Sequence, residues 1–176
     1  PAGGARAGAA GTDENEFVSL TPAQHEERSA IIRQVFIKVL DFPLPVIAAI
    51  NGAALGGGLA LVTACDIRYS AEHAKLGLPE INVGALGGGR HLGRHVPPGK
   101  MREMYFTGEP ITATEALRVG LVDKVVPAAE LRAEALALAR KIAAKSPLAL
   151  RLAKQSLNES EEMGLKEGYA HEQSFT

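Results

Sequence analysis

The sequence predicts an α/β core followed by an all-helical C-terminal region. Three observations carry this: short β-branched runs alternate with helical periodicities up to Pro127, strand signals cease after it, and glycine runs punctuate the first part only. A chain of 176 residues is long enough for one sizeable core. With 46% hydrophobic and 22% charged residues it falls among globular chains, not disordered ones.

In chain order, "PAGGARAGA" (1–9) is small and Gly/Ala-rich, without the apolar run of a secretory signal, and reads as disordered or mis-bounded. The stretch "TPAQHEERSAIIRQVFIKVLDFP" predicts an amphipathic helix. Thr21 is its N-cap, Pro22 takes the first helical position, and Gln24 completes a capping box. Ile32, Val35, Phe36 and Val39 recur at helical spacing until Pro43 ends the segment. "PVIAAI" (45–50) reads as a buried strand before the Asn51-Gly52 turn, and "GLALVTACD" as a helix after the glycines at 56–58. "IRYS" (67–70) and "KLGL" (75–78) are short strands. A helix over 97–108 stops at Gly108. Another over 111–120 has Thr112 and Glu115 as a capping box and Gly120 as its C-cap, and "LVDKVV" is a strand ended by Pro127. Beyond it, 128–145, 146–160 and 161–175 are helical segments. The expected division is therefore 1–127 as the α/β core and 128–176 as the helical region.

Charge and composition argue against several functions. A formal net charge of −1 and 5% aromatic residues supply neither the basic field nor the stacking platforms of a nucleic-acid binder. No apolar run reaches the roughly 20 residues of a membrane helix. The single cysteine, Cys65, cannot make an internal disulfide, which fits a reducing compartment and a cytoplasmic location. In its apolar run it reads as an inert thiol.

The glycines at 56–58 have two physical uses: close packing, or presenting bare N–H groups to a ligand at a helix N-terminus. The dinucleotide fingerprint is not met, because Leu59-Ala60-Leu61 follows Gly58. "GRHVPPGKM" fails as a phosphate loop, with five residues between Gly93 and Gly99 and Met101 after Lys100. His91 and His95 are four apart but have no third ligand nearby, so no metal site is predicted. Arg90, Arg94 and Lys100 beside them suggest a basic patch. Glu80 follows Pro79 at the end of an apolar strand, among Leu76, Leu78, Ile81, Val83 and Leu86. A carboxyl in such surroundings has a raised pKa and can shuttle protons near neutrality; a cap or surface acid is the other reading.

"AAINGAALGGGLALVTACDIRYSAEHAKLGLPEINVG", "TGEPITATEALRVGLVDKVVP" and "SPLALRLAKQSL" together resemble the enoyl-CoA hydratase/isomerase, or crotonase, family, over roughly Ala10 to Thr176. The resemblance implies a spiral of ββα turns with a helical region that assembles trimers, commonly paired into hexamers. The substrates it implies are acyl-CoA thioesters, as in fatty acid metabolism, with no cofactor beyond the coenzyme A of the substrate. The family's first strands have no counterpart in the sequence.

The resemblance also implies roles for individual residues. A thioester oxyanion would be held by the backbone N–H groups of Gly57 and of Thr12, the latter in "AGTD" (10–13). Loss of one such donor typically costs about 2.7–4 kcal/mol of transition-state stabilisation. Glu80 matches the family's catalytic glutamate, and Ala10, Leu55, Gly56, Pro79, Val83 and Gly84 would contact substrate. The hydratases' further glutamate falls at Ala60, and the loop of "NVGALGGGRHLGR" is shorter than theirs. One carboxylate suffices to move a double bond, whereas hydration there uses two, unless Glu103, Glu109 or another subunit supplies the second. Hydrolase, decarboxylase or lyase chemistry, and a non-catalytic acyl-CoA-binding or assembly role, are the alternatives.

Overall fold

A computed structural model describes residues 7–10 and 20–175. Helix α1 (Pro22–Leu40) opens with the expected capping box: the Thr21 side chain accepts from the Gln24 N–H, and the Gln24 side chain accepts from the Thr21 N–H at 2.9 Å. The helix ends at Asp41, just before the Phe42-Pro43 step.

The strands fall into two sheets. One has the order β1 (Ala7–Ala10), β3 (Ala53–Leu55), β5 (Lys75–Gly77), β6 (Ile111–Thr112); the other is β2 (Ile47–Ile50), β4 (Ile67–Ala71), β7 (Lys124–Val126). All neighbours run parallel except β5 and β6. From β1 to β5 consecutive strands alternate between the sheets, whereas β6 stays in the sheet of β5 and β7 returns to the other. β2 and β3 lead into α2 (Gly57–Thr63), and β4 and β5 lead into a 3₁₀ turn (Pro79–Val83), α3 (Gly89–Leu92) and α4 (Pro98–Thr107). This is the predicted α/β spiral of ββα turns. The chain then passes through β6, α5 (Ala113–Arg118) and β7 into the helices α6 (Ala128–Ala143), α7 (Pro147–Ser160) and α8 (Leu165–Gln173).

The core lies between the sheets and α2 to α5. Ile50, Leu59, Leu76, Leu78, Leu92, Met104, Leu121 and Val122 are buried together, so each ββα turn contributes to one apolar centre. A second small cluster of Ala71, Val126 and Leu131 seats α6 on β4 and β7. A buried ion pair ties α7 to the entry of β2. Lys154 Nζ donates to Asp66 Oδ2 at 2.8 Å and to the Leu44 carbonyl at 3.3 Å, and the same Asp66 oxygen accepts the Val46 N–H.

Several expectations need correction. Ala7–Ala10 is not disordered: it forms β1, parallel to β3 with Ala10 opposite Leu55. Pairing along β3 on one edge satisfies part of its backbone groups, which offsets the weak strand propensity of alanine. β3 and β6 are additional strands of three and two residues, too short for an alternation to register in sequence. Thr112 caps α5 by accepting from the Glu115 N–H, but the Glu115 carboxylate binds Arg118 and Lys100, so only half of the capping box forms. On α7, Leu148 and Leu157 are 63% and 67% exposed.

Candidate active site

The site grows from the junction of β3 and α2. β3 is held against β5 by the Ala54–Leu76 and Leu55–Gly77 pairings, and the Gly56 N–H continues the ladder to the Gly77 carbonyl at 2.9 Å. The chain then turns sharply, with Gly56 at φ 57° and ψ −127°, a conformation that L side chains rarely adopt. Helix α2 starts at once. The amides of Gly57, Gly58 and Leu59 are its first three and have no carbonyl one turn earlier within the helix, so the positive end of the helix is presented at this junction.

Glu80 comes from the neighbouring turn of the spiral. β5 ends at Gly77, Leu78 is buried, and Pro79, with its fixed φ, starts the 3₁₀ turn that carries Glu80. The strand thus ends earlier than its apolar pattern suggests, and Glu80 sits in the first turn of a helix. Its carboxyl lies against the backbone of Gly56: a Cβ built on Gly56 would stand 2.9 Å from Glu80 Oε1. The other oxygen, Oε2, is buried without a hydrogen-bond partner among the described residues. Burial pushes the carboxyl above the usual carboxylate range, opposed in part by a hydrogen bond within its own backbone turn. Of the two readings left open by sequence, the structure favours the desolvated acid over the surface cap.

The predicted residues divide cleanly. Leu55, Gly56, Gly57, Pro79 and Glu80 converge on one junction, and Ala10 pairs with Leu55 at the end of β1. Val83 and Gly84 close the 3₁₀ turn and are exposed beside it, with Ile81 and Leu86 adding apolar surface. Thr12 lies outside the described residues. Ala60, on the first turn of α2, is buried, and Gly88 passes over it: a Cβ on Gly88 would stand 3.5 Å from that of Ala60 and 2.8 Å from Leu78 Cδ2. Glu103 is salt-bridged to Lys100 at 2.8 Å.

The expected basic patch is neutralised. Arg94 makes a two-pronged pair with Glu161, Arg90 pairs with Glu162, and Lys100 lies between Glu103 and Glu115. The two histidines do not share a ligand. His91 meets the Phe36 ring edge-on at 5.4 Å, and His95 Nε2 hydrogen-bonds the Thr63 carbonyl at 2.8 Å; burial lowers both pKa values. Cys65 is partly buried, with burial raising its pKa, as suits an inert thiol. Sequence reasoning assigns no role to the second glycine triplet, 87–89, which comes against Glu80 and Leu78. Its repetition of the first triplet seven residues after Glu80 is the signal available for it.

Comparison with known proteins gives the family and the shared fold. The chain is 42% identical over 180 residues to a 2,3-dehydroadipyl-CoA hydratase of Escherichia coli, covering 99% of this chain and 69% of that protein. It is 39% identical over 152 residues to a short-chain-enoyl-CoA hydratase of Clostridium acetobutylicum, covering 85% of this chain and 58% of that one. The crystal structure of an enoyl-CoA hydratase from Bacillus anthracis, 39% identical, superposes with a TM-score of 0.94 over 98% of this chain and 68% of its own length. The chain spans 66, 58 and 59% of the lengths of three curated relatives that it matches. The sequence profile described as enoyl-CoA hydratase/isomerase matches residues 2–176, and with the shared fold this shows that the chain belongs to the enoyl-CoA hydratase/isomerase family.

Proposed function

We propose that the chain carries the acyl-CoA site of an enzyme that stabilises a thioester enolate and moves the double bond of an enoyl-CoA between the 3 and 2 positions. The carrying observation is the buried carboxyl of Glu80 set against Gly56, at the start of α2. The thioester oxygen accepts the Gly57 N–H, with Thr12 as the second donor implied by resemblance. The Glu80 carboxylate takes a proton from C2, negative charge moves onto the thioester oxygen at the positive end of α2, and the same carboxyl returns the proton at C4. Ala10, Leu55, Gly56, Pro79, Val83 and Gly84 line the substrate. No other cofactor is needed. A carboxyl whose burial raises its affinity for a proton suits such a shuttle better than a fully solvated one.

Ala60 favours isomerisation, since among the described residues Glu80 is the carboxyl set at the junction of β3 and α2. Hydration of a 2-enoyl-CoA is the second reading, favoured by relatives that bear hydratase names. Exposed Leu148, Leu157, Leu165 and Tyr169 support assembly of the helical region into a homotrimer or hexamer, and the single cysteine, Cys65, suits a cytoplasmic location.

Absorbance of the conjugated thioester separates the readings, rising when 3-enoyl-CoA is isomerised and falling when 2-enoyl-CoA is hydrated. We expect isomerisation without hydration, lowered about 10²- to 10⁴-fold by Glu80→Gln. Brisk hydration would overturn the one-carboxylate reading. Turnover of neither compound would overturn the enzymatic one.

A further inference from the structure

We infer that Gly87 is a positioning residue for Glu80, forming with Gly56 a two-sided backbone slot in which the carboxyl is held. This inference rests on the proposed role of Glu80 in proton transfer. A Cβ on Gly87 would stand 2.8 Å from Glu80 Oε1, 3.3 Å from Cδ and 3.5 Å from Cγ, while one on Gly56 would stand 2.9 Å from the same Oε1 and 3.3 Å from Cδ. Two chain segments thirty-one positions apart therefore leave room for the same oxygen by omitting a side chain. Neither contact is incidental packing of an apolar surface, because what fills the space is the ionisable end of the side chain.

The two walls differ in why they are glycine. Gly56 needs glycine for its backbone angles as well as for space, whereas Gly87 is not among the positive-φ glycines. An alanine at 87 meets no backbone strain; its methyl meets the Glu80 carboxyl. The 3₁₀ turn reinforces this wall: the Ala85 N–H donates to the Glu80 carbonyl at 3.0 Å and the Gly84 N–H to that of Ile81 at 3.1 Å, folding the 84–88 loop back over the acid. With the carboxyl in the slot, Oε2 is shielded and unpartnered among the described residues.

Among the described residues, charged neighbours do not account for the environment. Helix α2 and the 84–88 loop have no titratable side chain. On the adjoining elements, Lys75 is exposed at the start of β5, Arg90 is committed to Glu162, and His91 is packed on Phe36. Burial raises the proton affinity of Glu80 above that of an ordinary carboxyl, and the backbones of Gly56 and Gly87 are two of the surfaces that bury it.

The test is Gly87→Ala in the intact protein, alone and combined with Glu80→Ala, followed by thermal unfolding, by carboxyl carbon NMR titration of Glu80 and by steady-state kinetics with the enoyl-CoA it turns over. Assignment of the Glu80 resonance uses Glu80→Gln. Expected are a lowered melting temperature for Gly87→Ala with Glu80 present and none in the Glu80→Ala background, and a Glu80 titration that moves down toward the ordinary value of 4.5. In kinetics, kcat should fall about a hundredfold, the loss typical of a group displaced by an ångström, with KM little changed. Equal destabilisation in both backgrounds, or an unmoved Glu80 titration, would overturn the slot. Absence of turnover by wild-type protein would defeat the functional reading alone, since unfolding and titration still decide how Glu80 is held.

Discussion

Gly56→Ala is the most informative single substitution, because two separable effects act at one atom. The backbone there has φ 57° and ψ −127°. Holding a non-glycine residue in so sparsely populated a region costs about 1–3 kcal/mol. The new methyl would also lie 2.9 Å from Glu80 Oε1, and overpacking of this kind costs about 1–3 kcal/mol unless the obstructing group moves. Rigid retention of Glu80 gives a total near 2–6 kcal/mol, against the 5–15 kcal/mol typical of whole domains. If the carboxyl swings away instead, only the backbone part remains, about 1–3 kcal/mol, and the activity that depends on Glu80 is lost. Urea unfolding of Gly56→Ala, Glu80→Ala and the double variant separates the two: the backbone part persists with Glu80→Ala, and the steric part disappears. The kcat for enoyl-CoA isomerisation should fall at least a hundredfold in Gly56→Ala. A loss of stability below about 0.5 kcal/mol, the range of ordinary surface substitutions, together with unchanged kcat, would refute the geometry assigned to this junction.

Other consequences follow from buried charge. The folded protein holds the Glu80 proton more tightly than the unfolded chain, so it binds more protons in the window that opens above the ordinary value of 4.5, and stability falls as pH rises through the folded pKa. Glu80→Gln removes this dependence; urea unfolding from about pH 4 to about pH 8 should show the variant gaining on wild type as pH rises, and a constant difference would contradict the raised pKa. Lys154→Met leaves Asp66 without its cation, and since Lys154 is 6% exposed and Asp66 28%, the loss should lie at the low end for a broken buried pair, about 3 kcal/mol. Adding Asp66→Asn should recover part of it. Equal losses in the single and double variants would show that the pair is not coupled.

Family membership bears on what these experiments can find. The junction of β3 and α2, with Glu80 delivered from β5, is assembled within the residues described, so its geometry can be probed in this chain. Substrate preference and assembly depend on the whole protein, and they belong to the proposal, not to the fold.

Much of this molecule was legible without coordinates wherever the governing forces act within one helical turn or one strand. The Thr21–Gln24 capping box, Pro22 at the head of α1, the αL glycines Gly108 and Gly120 and the N-cap at Thr112 are local hydrogen-bonding and backbone effects, and each is found where its residues predict. The acid after Pro79 and the first glycine triplet were visible as exceptions to an apolar pattern. Tertiary structure alone decided which groups meet. Arg90 and Arg94 read as a free basic patch until α3 is brought against Glu162 and Glu161, which lie 72 and 67 positions away. β3 and β6 exist because neighbouring strands bind their backbones, and β1 is ordered along β3 despite a composition that suggests otherwise. The pairing of Gly56 with Gly87 around one carboxyl is likewise a property of two loops meeting in space, since the absence of a side chain leaves no mark in sequence to say what fills the room it leaves.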